Sequence, residues 1–202
     1  MGTPVNLTNV VICFPHLFEK HAAPGTTNAK YSAEFILDPA TNRDTLARLE
    51  QTFKEVATEA GKGDQLHFLD PPYKQGEAVN QERQRKGKAP RPELEGKWLI
   101  RASSGTEQPA VVNANVQPIS EANRGMVFNG CVVNAYIDLY WSSNATNPGV
   151  FAGLSGVQLV DNVNVERLGG GRPSAETMFA PVAGAPEPIA PEPTPTSDVP
   201  WM

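Results

Sequence analysis

Excess positive charge is missing from this sequence. Its 202 residues carry 17 Lys and Arg against 22 Asp and Glu, a formal charge of −5. A uniformly basic nucleic-acid binder is therefore excluded, although local cationic surface is not. No apolar run reaches the roughly 18 residues of a membrane-spanning helix, so no span is expected. The first residues lack a charged segment followed by an apolar one, so no secretory signal is expected either. Cysteine is scarce. Cys13 and Cys131 each sit in an apolar, β-like run, which predicts buried free thiols in a reducing compartment, a single disulfide being the alternative. Without a secretory route, the acceptor patterns Asn6-Leu7-Thr8 and Asn144-Ala145-Thr146 read as chance.

Catalytic patterns are also lacking. Cys13, His16 and His21 make three possible metal ligands with no fourth at a zinc-like spacing. His67 has no evident Ser or Cys partner, and Gly169-Gly170-Gly171 lacks the Lys-Ser/Thr of a phosphate loop. The expectation is a protein without enzymatic activity, cofactor or metal.

What is present is unevenly distributed. Residues 173–202 hold eight prolines, four acids and no Lys or Arg, ending Ser197-Asp198-Val199-Pro200-Trp201-Met202. Such a composition cannot bury enough apolar surface to offset its ordering entropy, so residues 169–202 are expected to form a disordered, Pro-rich acidic tail. Without its four acids the chain is close to neutral, so the acidity belongs largely to the tail. In the body, Arg83, Arg85, Lys86, Lys88 and Arg91 crowd nine residues with no acid among them. A solvated loop with chance clustering is the plain reading of that run; an electrostatic arm is the functional one.

Residues 1–168 suit one domain. Residues 5–14 read as a first strand ended by Pro15, and residues 30–38 as a half-buried strand with Tyr31, Ala33, Phe35 and Leu37 inside. Leu46, Leu49, Phe53, Val56 and Ala60 recur at helical spacing behind a Thr41 or Asn42 cap, the only helix expected. Residues 63–96 show no regular element and are expected to form a long basic loop or arm. Strands resume at 97–103, 109–116, 131–141 and 150–161, with Ala110, Val112, Ala114 and Val116 sharing one face of the second of these. Gly153 and Gly156 suit a bulge in the last strand. Five to six antiparallel strands, with one helix after the second, predict a mainly β, OB-fold-like barrel, a β-sandwich being the alternative.

The segment Asn129-Gly130-Cys131-Val132-Val133-Asn134-Ala135-Tyr136-Ile137-Asp138-Leu139-Tyr140, followed by Gly149-Val150-Phe151-Ala152-Gly153-Leu154-Ser155-Gly156-Val157-Gln158-Leu159-Val160, resembles the C-terminal signature of a phage-encoded family once labelled only DUF2815. The strands Lys97-Trp98-Leu99-Ile100-Arg101-Ala102-Ser103 and Pro109-Ala110-Val111-Val112-Asn113 resemble it too. The resemblance implies an OB-fold protein that binds single-stranded DNA in phage replication or recombination, in the cytoplasm of the infected bacterium. It carries over no invariant base-reading set. The tail resembles the acidic tips of bacterial and phage single-stranded-DNA-binding proteins, with Asp198, Pro200 and Trp201 as the elements that would dock on a replication or recombination partner or compete for the DNA groove.

Sequence-tolerant binding of a single strand needs cations that follow phosphates and flat rings that stack on bases. By strand parity Tyr136 and Tyr140 point away from the apolar face, and Arg101 faces outward while Trp98 faces the core. Trp141 stands at a strand end, where amphipathic rings line grooves. Tyr73, Lys74, Arg83, Arg85, Lys86, Lys88 and Arg91 form the expected arm, which would close over the strand and order on binding. The rival reading is a virion structural or decoration protein with no nucleic-acid role.

Overall fold

The computed structural model describes residues 2–22, 25–144 and 146–169. All of them lie within one compact unit, Met1–Gly170. In chain order the elements are β1 (Thr3–His21), β2 (Lys30–Leu37), α1 (Arg43–Glu59), β3 (Tyr73–Gln75), α2 (Gly76–Arg85), β4 (Trp98–Ser104), β5 (Ala110–Val112), β6 (Val132–Ser142) and β7 (Gly149–Asp161). Short 3₁₀ turns cover Gly63–Phe68, Pro92–Leu94 and Glu121–Met126.

Five strands close into a barrel in the order β4-β2-β1-β6-β7, sealed by a parallel pairing of β4 with β7 at Ser103 and Gly153. β3 extends the β4 edge, and β5 adds to β7 in parallel. The fold is OB-like and mainly β as expected, but the barrel is mixed rather than wholly antiparallel.

β1 runs past Pro15 to His21, with register shifts between Leu7 and Val10, Cys13 and His16, and His16 and His21. Between Leu7 and Val10, and again between Cys13 and His16, one extra residue faces the partner strand. Asn9 and Phe14 take up the irregularity with φ of 51° and 47°, a region costly for residues with a side chain. Each displaced amide finds a side-chain acceptor: Asn9 N–H donates to Asn134 Oδ1 at 2.9 Å and Phe14 N–H to Asn129 Oδ1 at 2.7 Å. Pro15, expected to end the strand, lies inside the second bulge, where no ladder donor is required.

The barrel interior takes the alternating apolar residues. Cys131, just before β6, and Val133, Ala135, Ile137 and Leu139 on one side of it are buried, as the pattern predicted, against Phe35 and Leu37 of β2 and Ile100 and Ala102 of β4. Each Val, Leu, Ile or Phe among them contributes about 1.5–3 kcal/mol by leaving water. α1 packs on β1, β6 and β7 through Leu49, Phe53, Val56 and Ala57. Asn42 holds the N-cap position, yet its side chain donates to Thr8 O at 2.9 Å and accepts from Asp38 N–H, tying the helix to β1 instead of capping it.

Three local expectations are corrected. β5 spans three residues, with Val111 buried and Val116 69% exposed, because Asn113 turns the chain back at Gln117 and reverses the expected parity. β2 is not half-buried: Glu34 and Ile36 on its outer side are 4% and 3% exposed. Their cover is the third correction. Residues 63–96, expected to be a loop, contain two 3₁₀ turns, β3 and α2, a second helix. Val79 and the fully buried Leu94 lie on Cys13, Ile36 and Leu99, a small second core outside the barrel. Gly76 permits that approach, since a Cβ there would sit 1.8 Å from the carbonyl oxygen of Leu94.

Candidate nucleic-acid interface

The folded segment 76–95 builds one wall of a groove of about 750 Å³ across the outer faces of β2, β4 and β7. Seven cationic side chains line it: Lys30, Lys74, Arg83, Lys86, Lys88, Arg91 and Arg101. Only three carboxylates, Glu34, Asp70 and Glu82, do so. A strand of phosphates entering here meets net positive charge although the whole protein is acidic.

Two rings stand on the β6–β7 side of the groove. Tyr140 and Phe151 are cross-strand partners with ring centroids 6.3 Å apart and planes 35° apart. Tyr140 is 39% exposed. Phe68, 79% exposed on the 3₁₀ turn Gly63–Phe68, also lines the groove.

In the floor lies an ion-pair network. The Glu34 carboxylate accepts from Arg91 Nη1 at 2.6 Å through one oxygen and from Arg101 Nε and Nη2 through the other. Arg91 Nε donates to Glu93 at 2.8 Å. Burial works against the charge of Arg91, but the bonds to Glu93 and Glu34 outweigh it and hold the guanidinium above its ordinary value. Burial likewise opposes ionisation of Glu93, and the Arg91 hydrogen bond overcomes this to keep that carboxyl below its usual range.

With this geometry in view, the sequence profile of the Enterobacter phage Enc34 ssDNA-binding protein family matches residues 3–188. The chain belongs to that family. Solved structures agree on the fold. The single-stranded DNA-binding protein from bacteriophage Enc34 in complex with ssDNA superposes with a TM-score of 0.68 at 20% identity, covering 80% of this chain and 88% of that one. The single-stranded DNA-binding protein gp2.5 of bacteriophage T7 gives 0.52 at 11% identity, covering 85% and 91%. Curated protein sequences returned no match.

The structure gathers some of the anticipated residues and separates others. Lys74, Arg83, Lys86, Lys88, Arg91, Arg101 and Tyr140 share the groove. Arg91 is only 7% exposed, so it braces the floor and is not a free phosphate contact. Tyr73 is 8% exposed, set edge-on to Phe53 at 6.4 Å, and burial pushes its hydroxyl up to about 12; it belongs to the core. Trp141 packs half-buried against the main core, as does Trp98. Tyr136 is 46% exposed but lies in a separate, uncharged hollow with Asn6, Asn134 and Gln158. Arg85 is exposed on α2 and does not line the groove. The cationic arm packs against β1, β2 and β4 through Val79 and Leu94. Asp198, Pro200 and Trp201 lie outside the described residues.

Lys30, Phe68 and Phe151 were not singled out from the sequence. Parity placed Lys30 on the outer face of β2, and the inward Val150, Ala152 and Leu154 put Phe151 outward beside Tyr140. Phe68 had no signal, since its segment lacks periodicity.

Proposed function

We propose that this chain binds single-stranded DNA without regard to base sequence, along the groove between segment 76–95 and the β2-β4-β7 face. It would act in phage DNA replication and recombination, in the cytoplasm of the infected bacterium. The observation that carries the reading is the pairing of Tyr140 and Phe151 beside a groove lined by seven cations. Lys30, Lys74, Arg83, Lys86, Lys88 and Arg101 meet phosphates, while the rings stack on bases at roughly 1–3 kcal/mol per base. No base-edge readout is needed, so binding tolerates every letter. The family membership supports the same partner.

Titration with oligo-dT at low ionic strength tests this directly. Stacking on Tyr140 quenches intrinsic fluorescence, and a duplex of equal length competes poorly. Unchanged emission together with no retained oligonucleotide would refute the proposal and favour the virion-protein reading. In the same reading the acidic tail, through Asp198, Pro200 and Trp201, competes for the empty groove and is offered to partner proteins when DNA fills it. Deletion of residues 190–202 then raises DNA affinity; weaker binding after deletion contradicts the tail's role and leaves the groove's intact.

A further inference from the structure

We infer that Glu34, a carboxylate in the floor of a groove for a polyanion, strengthens DNA binding by positioning Arg101. The inference rests on the proposed single-stranded-DNA reading of this groove. Simple Coulomb reasoning says the opposite, because an acid in the floor repels phosphate.

The geometry favours positioning. Glu34 is 4% exposed and stands directly across from Arg101 in the β2–β4 ladder. One of its oxygens takes the Nε and Nη2 edge of the guanidinium, while the Arg101 side chain remains 71% exposed. The inner edge is therefore held and the outer donors face the groove. A long side chain already fixed along one edge loses less rotamer freedom when it meets an anion. The second oxygen of Glu34 is engaged by Arg91 at 2.6 Å, and Arg91 is itself fixed by Glu93 and by two backbone bonds with Asn80 of α2, at 2.8 and 2.9 Å. Glu34 thus cannot swing toward solvent. Two carboxylates and two guanidiniums balance within this network, so the acid's field on a bound phosphate is largely offset. Arg101 is the member of the network open to solvent, and the outward charge is its own.

The test is oligo-dT affinity and its salt dependence for the full chain carrying Glu34→Gln, Arg101→Ala and both together. Positioning predicts about tenfold weaker binding for E34Q, the scale of one charge-assisted contact, although a negative charge has been removed. The slope of log K against log salt flattens by up to about 0.7. In the Arg101→Ala background the same Glu34→Gln change alters affinity less than about twofold. Equal or tighter binding by a folded E34Q, or an undiminished effect in the Arg101→Ala background, overturns the inference. Because E34Q strips a buried arginine of a partner, a melting curve accompanies it, and Arg101→Lys provides a variant that leaves Glu34 and Arg91 intact. A lysine keeps the charge but cannot keep the paired edge, so R101K should lose most of what R101A loses; wild-type binding by R101K also overturns the inference. Failure of the unmodified chain to bind oligo-dT would instead strike the groove reading itself.

Discussion

Salt dependence offers the sharpest measure of the groove. Among the described residues Lys30, Lys74, Arg83 and Lys88 line it with no carboxylate oxygen within 4.0 Å, though Lys74 and Arg83 lie in the fields of Glu82 and Glu93, whereas Lys86 is bonded to Glu82 at 2.6 Å and Arg101 to Glu34. Each cation that neutralises a phosphate of a single strand contributes about 0.7 to the slope of log K against log salt. With Lys86 and Arg101 counted as well, six such contacts give a slope near 4, which means roughly 300-fold weaker binding between 50 and 200 mM salt. Replacing Lys74, Arg83 and Lys88 with alanine removes about 2 from that slope and leaves roughly a 20-fold loss over the same interval. Arg85→Ala is the internal control, because that side chain carries the same charge as Arg83 on the same helix but outside the groove. Fluorescence titrations with oligo-dT at four or five salt concentrations measure all three proteins. If Arg85→Ala flattens the slope as much as any one of the groove residues, or the triple variant keeps the parent slope, the assignment of phosphates to this groove is wrong.

Other outcomes follow from the same geometry. Tyr140→Ala should weaken oligo-dT binding by about 1–3 kcal/mol and abolish much of the fluorescence quench, while Tyr136→Ala, in its uncharged hollow, should change neither. Leu94→Ala, at a fully buried position within segment 76–95, should cost about 2–5 kcal/mol, seen as an earlier chemical-denaturation midpoint and as faster proteolysis between residues 76 and 95. Glu93 is held below its ordinary value of 4.5, so its folded pKa lies under its unfolded one. Its contribution is therefore complete above about pH 4.5 and is lost as pH falls through the folded value. Denaturant titrations from pH 6 down to 3 should show wild type losing more stability than Glu93→Gln.

How much of this was legible beforehand depended on whether a residue's partner was near in register or far away in the chain. The β6 alternation is read without ambiguity because one side faces the core and the other water, and it placed Tyr140 correctly. Arg91 reads as one more cation in a basic run. Only the fold reveals that the run doubles back over β2, so that Glu34, 57 residues earlier, becomes its partner. Residues 76–85 are rich in Gln, Glu and Arg with little apolar periodicity; Val79 is the lone apolar anchor after the first turn, which is too weak a pattern to announce a helix. Tyr73 has an aromatic side chain and a basic neighbour, features common to stacking residues and core residues alike, and packing against Phe53 decided between them.

The pairing of β1 has a consequence for how the polypeptide comes together during synthesis. Thr3 pairs with Leu139 and Val5 with Ile137, so the first strand cannot find its β6 neighbour until most of the body has left the ribosome. Contacts of that sequence separation make closure slow. Until then the outer edge of β1's first half, Val5 and Leu7 included, is an unsatisfied template exposed to other nascent copies. Its early pairing with β2 shields only the second half. Truncated messages ending before β6 should therefore yield aggregates, and the yield of intact protein should respond more to chaperone supply and growth temperature than its small size would suggest.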